Sequence, residues 1–86
     1  MPWRVEITAR ARRELRALPA HDQAAVRAAL DRLALEFGAL DMKKMGGAGN
    51  RWRLRVGRWR VVLNLNNAAG EMVVTRVLDR KDAYRG

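Results

Sequence analysis

Five arginines lie within the ten residues from Arg51 to Arg60, and their spacing is the feature of this chain best suited to chemistry. In the segment RWRLRVGRWR they alternate with apolar residues, and successive side chains of an extended strand point to opposite sides of a sheet. The pattern predicts an apolar face with Trp52, Leu54 and Val56, and a basic face with Arg51, Arg53, Arg55, Arg58 and Arg60. Because no acid separates the arginines, we expect this face to attract a polyanion, either nucleic acid or an acidic protein segment.

The charge of the whole chain agrees with that interpretation. Its 86 residues carry 18 Lys and Arg against 9 Asp and Glu, a formal charge of +9 with an isoelectric point near 11.6. Arg-rich codon usage would explain why arginine outnumbers lysine, but not a twofold excess of bases over acids or their clustering in one segment. The balance therefore favours anionic partners.

Composition also excludes several kinds of chemistry. The chain has no cysteine, so it has neither disulfides nor thiol nucleophiles. Its single histidine, His21, leaves too few ligands for an ordinary zinc centre. We therefore expect no metal and no cofactor, and a reducing cytoplasm as the setting. The N-terminus lacks the apolar core of a signal peptide, and no segment has the roughly 20 apolar residues of a membrane helix. We expect a cytoplasmic protein with no membrane contact.

The first half of the chain predicts a strand and two helices. Trp3, Val5 and Ile7 alternate with polar residues and predict a short strand that ends at Thr8, a good helix cap. Apolar spacing then predicts helices over about 9–18 and 21–37, separated by Pro19, that form an antiparallel hairpin. His21 is expected on the surface at the start of the second helix.

The second half predicts a sheet. The glycine-rich segment 41–50 predicts a loop with a short strand near 43–45, and strands follow over 52–56, 59–65 and 72–78. Gly57-Arg58 and the segment 66–71 predict the turns, while Trp52 and Trp59 are expected in the core rather than as platforms for bases. The fold class is α+β in the order βααβββ, an antiparallel sheet covered on one face by the helical hairpin.

Three segments, RRELRALP, MKKMGGAGNRWRLRVGRWRVVLNL and VTRVLDRKDAYR, together resemble the RelE/ParE superfamily of toxins from bacterial type II toxin-antitoxin systems. The most specific parts are the block from Trp52 to Val61 and the terminal DRKDAYR. The resemblance spans nearly the whole chain, so it implies one toxin domain over residues 1–86.

Similarity to the RelE branch implies a ribosome-dependent mRNA endoribonuclease that needs neither metal nor histidine. In that chemistry the RNA 2′-OH attacks the adjacent phosphate, and cations neutralise the charge that develops there. Carried over position by position, the resemblance gives as catalytic residues Arg53, Arg55, Arg60, Arg80 and Tyr84. Further RNA contacts are expected from Arg51, Arg58, Lys43, Lys44 and Lys81.

The chain departs from the RelE pattern at two of these positions. Arg53 and Arg55 stand where that branch has lysines, and arginine stays protonated, so Arg55 is a poor general base. Lys81, Tyr84, Lys43 or Lys44 remain open as the base, or the protein cleaves slowly. Asp79 is a further departure, and this acid either neutralises Arg80 or holds its orientation.

The resemblance leaves two other functions open and implies a partner. ParE-like members inhibit DNA gyrase, and a third possibility is a catalytically weak relative that binds only RNA or antitoxin. Both toxin interpretations imply a cognate antitoxin that binds through an acidic amphipathic segment along the helices or the sheet edge. The nuclease would also contact the ribosome and mRNA, whereas the alternative would contact DNA gyrase.

Overall fold

The computed structural model describes residues 3–38, 40–46 and 49–83, which fold into one five-stranded sheet with two long helices. The elements in chain order are β1 (Arg4–Ile7), α1 (Ala9–Arg16), α2 (Ala20–Leu35), β2 (Met42–Lys44), β3 (Arg51–Val56), β4 (Trp59–Asn66), β5 (Glu71–Asp79) and α3 (Arg80–Ala83). The predicted α+β fold is confirmed. None of the described helices is long and apolar enough to cross a membrane.

The sheet has the strand order β1-β5-β4-β3-β2. The four strands from β2 to β5 are antiparallel to their neighbours, and β1 joins the edge parallel to β5. The tight turn between β3 and β4 follows the prediction: Gly57 has a φ of 58°, a left-handed conformation that suits glycine. The β2 strand begins one residue earlier than expected, and the short α3 is an element that periodicity did not predict.

Both long helices pack on the same face of the sheet. Thr8 accepts a hydrogen bond from the Ala11 amide at 3.2 Å and so caps α1, as its position predicts. The core combines one apolar stripe from each helix with alternate residues of three strands: Ala11, Leu15, Leu18, Val26, Leu30, Leu33, Leu54, Val61, Leu63, Met72, Val74 and Val77. The opposite face, which we call the open face, has no helix over it among the described residues.

The two tryptophans of the basic hairpin pack against this core, as predicted. Trp52 meets Phe37 edge-on with ring centroids 5.4 Å apart, and Trp59 lies half-buried on the same side of the sheet. Both indole nitrogens are buried without a hydrogen-bond partner among the described residues. These rings therefore shape the fold and leave the open face to the arginines.

A charged link fastens α1 to β5. The Arg76 guanidinium donates to the Glu14 carboxylate at 3.0–3.2 Å, and the Val77 amide donates to the same carboxylate at 2.9 Å. Burial acts to raise the pKa of Glu14, but these hydrogen bonds outweigh that effect and hold the pKa below its ordinary value. The carboxylate thus stabilises the packing of helix on sheet while it remains ionised.

Candidate nucleic-acid interface

Strand register brings three of the predicted arginines together on the open face. Arg55 lies directly opposite Arg60 across β3 and β4, and Arg53 occupies the same face two residues before Arg55. On the other side of β3, Lys43 of β2 lies directly opposite Arg53. A pocket of about 150 Å³ forms between these side chains, and its walls are Asp41, Lys43, Arg53, Arg55 and Arg60. We call it the basic pocket.

Asp41 is the acid in the basic pocket, and sequence analysis did not select it. The Arg55 Nε atom donates to the Asp41 carboxylate at 2.8 Å, and the Arg55 amide donates to the Asp41 carbonyl oxygen at 2.9 Å. Both side chains are more than half exposed, so the ion pair adds little to stability and is available to a ligand. The position of Asp41 immediately before a short lysine-bearing strand was the one sequence signal that could have singled it out.

Arg60 forms the buried wall of the basic pocket. Its side chain is largely enclosed, with the whole residue 8% exposed, and its Nη1 atom donates to the carbonyl oxygens of Gly57 and Trp59 at 2.9 and 3.1 Å. A guanidinium fixed by its own turn keeps its charge in one place, because arginine does not deprotonate in proteins. Arg60 therefore supplies a positive charge that is oriented before any ligand arrives.

Arg58 does not continue the alternation, contrary to the sequence prediction. It lies in the turn between β3 and β4, where its guanidinium donates to the Asp79 carboxylate at 2.5 Å and lies 5.5 Å from the centre of the Trp59 ring. A turn residue has no strand phase, so a period of two does not fix its direction. Arg58 is consequently bound at the end of β5, outside the basic pocket.

Asp79 also differs from its expected role beside Arg80. Its carboxylate accepts hydrogen bonds from Arg58 and, at 3.2 Å, from the Lys81 amide in the first turn of α3. The Lys81 amide is the largest cause that holds the pKa of Asp79 below its ordinary value, and Arg58 lowers the pKa further. Asp79 thus caps α3 and attaches this helix to the β3–β4 turn, where the Arg80 amide donates to the Arg58 carbonyl oxygen at 2.8 Å.

The remaining predicted residues lie around the basic pocket rather than in it. Arg51 is exposed at the far end of the same face, opposite Asn64, and Arg80 is exposed on α3. Lys44 lies opposite Trp52 and so has the phase of the helix-covered face, while Lys81 lines a separate groove with Trp59. The predicted Tyr84 lies outside the described residues.

The groups of the basic pocket have two chemical roles. Its arginines present planar guanidinium groups, which can bind two phosphate oxygens at once. Asp41 and Lys43 are the members that can exchange a proton, since a carboxylate accepts one and an ammonium donates one. This combination suits a ligand with a phosphodiester and a nearby hydroxyl.

Comparison with known proteins places the whole domain in one family. Residues 5–84 match the model of the ParE toxin of the type II toxin-antitoxin system parDE. No curated protein matches the chain significantly by sequence.

Solved structures give the same result at the level of fold. The chain is 30% identical to the toxin-antitoxin complex RelBE2 from Mycobacterium tuberculosis, with a TM-score of 0.81 over 93% of this chain and 100% of that chain. It is 25% identical to the archaeal RelE-RelB complex from Pyrococcus horikoshii OT3, with a TM-score of 0.80 over 93% and 97%. The isolated Escherichia coli RelE toxin shares the fold at 16% identity, with a TM-score of 0.73 over 90% and 83%.

The family match and the 30% identical relative both extend over nearly the whole domain. This chain therefore belongs to the ParE toxin family of type II toxin-antitoxin systems, within the RelE/ParE superfamily.

Proposed function

We propose that this toxin is a ribosome-dependent mRNA endoribonuclease whose active site is the basic pocket. The observation that carries the proposal is the placement of one carboxylate, Asp41, among the cations of Lys43, Arg53, Arg55 and Arg60. A site for phosphodiester binding alone would need only the cations. The carboxylate adds a proton acceptor beside them, which is the group that cleavage by the RNA itself requires.

The proposed reaction is an internal transfer. The 2′-oxygen of one nucleotide attacks the adjacent phosphorus, the bond from phosphorus to the 5′-oxygen of the next nucleotide breaks, and a 2′,3′-cyclic phosphate forms. One proton leaves the 2′-OH and another reaches the departing 5′-oxygen, which ends as a 5′-OH. Positively charged groups stabilise the phosphorane, whose charge exceeds that of the substrate.

Each residue of the basic pocket takes part in this reaction. Asp41 accepts the proton of the 2′-OH, with Arg55 Nε holding its carboxylate at 2.8 Å. Lys43 donates the proton to the 5′-oxygen. Arg53 and Arg55 bind phosphate oxygens, and the buried Arg60 holds a fixed positive charge at the wall. The assignment of the base to Asp41 removes the difficulty that arginine cannot take that role.

Four further predictions from the sequence remain with this proposal. Arg80 and Tyr84, near the C-terminus of the sequence, remain the catalytic residues that the resemblance implies, and Arg51 extends the basic surface along the open face. The ribosome supplies the mRNA, and a cognate antitoxin holds the toxin inactive. Support for the antitoxin comes from relatives of known structure, among them the RelE-RelB and RelBE2 complexes.

The test is induction of the toxin in growing cells, with primer-extension mapping of mRNA ends. We expect new ends within translated codons for the wild type and for the control Asp31→Asn, which changes an exposed acid on α2. Asp41→Asn keeps the size of the side chain but removes the proton acceptor. We therefore expect the abundance of the new mRNA ends to decrease by about 10²–10⁴-fold. Equal cleavage by both variants would overturn the role of Asp41.

A second candidate, inhibition of DNA gyrase, is favoured by two observations. The matching family model is that of ParE, and this chain has arginines at both positions where the RelE pattern has lysines. A supercoiling assay with purified gyrase separates the two functions. Intact mRNA together with blocked supercoiling would assign the toxin to gyrase.

A further inference from the structure

Three consecutive carbonyl oxygens of the turn between β3 and β4 bind two of the arginines assigned to the reaction. The Nη1 atom of Arg60 donates to the carbonyl oxygens of Gly57 and Trp59 at 2.9 and 3.1 Å. Between them in the chain, the carbonyl oxygen of Arg58 accepts a hydrogen bond from the Arg80 amide at 2.8 Å. The turn is therefore bonded to the side chain of one arginine and to the backbone of the other.

Strand register places Arg80 close to Arg60. Leu78 lies directly opposite Arg60 on neighbouring antiparallel strands, and Arg80 follows two residues later. The hydrogen bond from the Arg80 amide to the turn continues this pairing beyond the last residue of β5. Diagonal neighbours of this kind lie about 7–8 Å apart, a distance that long side chains can span. The two arginines can therefore act on one phosphodiester as long as the turn and the end of β5 keep their relative position.

A charged contact, rather than close packing, holds the tip of the turn. A Cβ atom placed on Gly57 would meet no atom within 4 Å, so the tip lies in open space. Arg58 Nη2 donates to the Asp79 carboxylate at 2.5 Å, and its guanidinium lies 5.5 Å from the centre of the Trp59 ring. The Asp79 side chain is 13% exposed, and its other carboxylate oxygen accepts a hydrogen bond from the Lys81 amide. One carboxylate thus joins the turn to the first turn of α3.

We propose that Arg58 is a positioning residue of the nuclease site: its ion pair with Asp79 fixes the turn against α3 and keeps Arg80 beside Arg60. The inference rests on the proposed function, in which both arginines act on RNA. Asp79 directs its two oxygens to Arg58 and to the Lys81 amide, so it acts on Arg80 through the backbone and not by neutralising the guanidinium. Arg58 has this role in place of the RNA contact that the sequence predicts.

The two roles of Arg58 lead to different kinetics. An arginine that contacts an RNA phosphate contributes to binding, so its loss raises KM and weakens the salt dependence of binding. A positioning residue acts on the bound complex, where misplacement of a reacting group by about 1 Å can lower the rate by about 10²-fold. The Arg58 side chain is 59% exposed, so its ion pair adds little to stability and its variants should fold.

Cleavage of a defined mRNA on programmed ribosomes tests the proposal. Arg58→Gln is compared with the control Arg32→Gln, which removes the same charge from an exposed position of α2. For Arg58→Gln we expect kcat to fall by about tenfold or more, with the KM and salt dependence of the control. For Arg32→Gln we expect the kcat of the wild type. A higher KM with unchanged kcat for Arg58→Gln would overturn the proposal and assign Arg58 to RNA binding.

Double variants test whether Arg58 acts through Asp79 and Arg80. Arg58→Gln combined with Asp79→Asn should lose no more activity than the more damaging single variant, because both changes break one contact. In an Arg80→Ala background, Arg58→Gln should change kcat by less than about twofold, because the group that it positions is absent. Independent, multiplicative losses in either combination would contradict the proposal.

Amide hydrogen exchange provides a measurement that does not require cleavage. The Arg80 amide is bonded to the turn, so we expect it to exchange about tenfold faster in Arg58→Gln than in Arg32→Gln. Equal exchange rates would overturn the proposal. Wild-type toxin that leaves mRNA intact would overturn the proposed function, whereas a cleaving wild type with equal kcat for the two variants would overturn the role of Arg58 alone.

Discussion

Arg55 and Arg60 lie directly opposite each other on neighbouring antiparallel strands. Lys43 and Arg53 have the same relationship one strand further along the open face. Directly opposed like charges destabilise a sheet, by roughly 0.2–1 kcal/mol for each pair. A fold that keeps two such pairs side by side sacrifices stability at that place, which is typical of functional sites.

Removal of one charge from these pairs should separate stability from activity. We expect Lys43→Gln to raise the free energy of unfolding by roughly 0.2–1 kcal/mol, because it relieves the repulsion with Arg53. The same change should lower RNA cleavage, since Lys43 is the proposed proton donor. Urea unfolding and a cleavage assay check the two effects. Lys44→Gln is the matched control, since Lys44 lies opposite Trp52, and a similar gain in stability there would contradict the account.

Arg60 should contribute to stability as well as to the basic pocket. We expect Arg60→Ala to lower the free energy of unfolding by about 1–3 kcal/mol, because the carbonyl oxygens of Gly57 and Trp59 lose the charged donor that the buried Arg60 side chain supplies. Arg55→Ala breaks only an exposed ion pair with Asp41 and should cost no more than about 1 kcal/mol. Denaturant titration of both variants checks the difference. Equal losses would show that the contacts of Arg60 with its turn do not stabilise the fold.

The hydrogen-bonded Glu14 should make stability depend on acid pH. The pKa of Glu14 is lower in the folded protein than in the unfolded chain. Its contribution to the free energy of unfolding is therefore complete above the unfolded pKa and is lost as the pH falls through the folded pKa. We expect Glu14→Gln to lower the free energy of unfolding by about 1–3 kcal/mol at pH 7. Below about pH 4.5 the stability of this variant should depend less on pH than that of the wild type. Urea unfolding across that range measures both quantities. Glu6→Gln, an exposed change on β1, is the control, and its free energy of unfolding should equal that of the wild type at every pH.

Asp79 should control whether α3 stays ordered. We expect Asp79→Ala to speed exchange of the Lys81 amide, because that amide loses the carboxylate that accepts its hydrogen bond. Hydrogen exchange followed by mass spectrometry or NMR measures this rate. Asp82→Ala, on the same short helix, is the control and should have a smaller effect. An unchanged rate in Asp79→Ala would mean that the cap does not hold this end of the chain.

The sequence predicted those parts of the fold that depend on local periodicity. Alternation of apolar and basic residues placed Leu54 in the core and Arg53 and Arg55 on the open face, because side-chain direction in a strand has a period of two. Apolar spacing likewise predicted the two helices, whose leucines Leu15 and Leu30 lie in the core.

The rest of the candidate site depends on contacts between distant segments, which periodicity does not encode. Asp41 meets Arg55 because of the β2–β3 register, and a glycine-rich connection does not fix that register in the sequence. Arg58 turns to Asp79, 21 positions away, because it occupies a turn rather than a strand. The parallel pairing of β1 with β5 joins the two ends of the described chain and has no local signature.

The most direct test of the central claim uses purified toxin, released from its antitoxin, with a defined mRNA on programmed ribosomes and with gyrase in a parallel reaction. The account predicts cut mRNA that bears a 2′,3′-cyclic phosphate and a 5′-OH. Asp41→Asn should retain ribosome binding but lose about 10²–10⁴-fold in rate, and supercoiling should be unaffected. Uncut mRNA together with blocked supercoiling, or full cleavage by Asp41→Asn, would contradict the account.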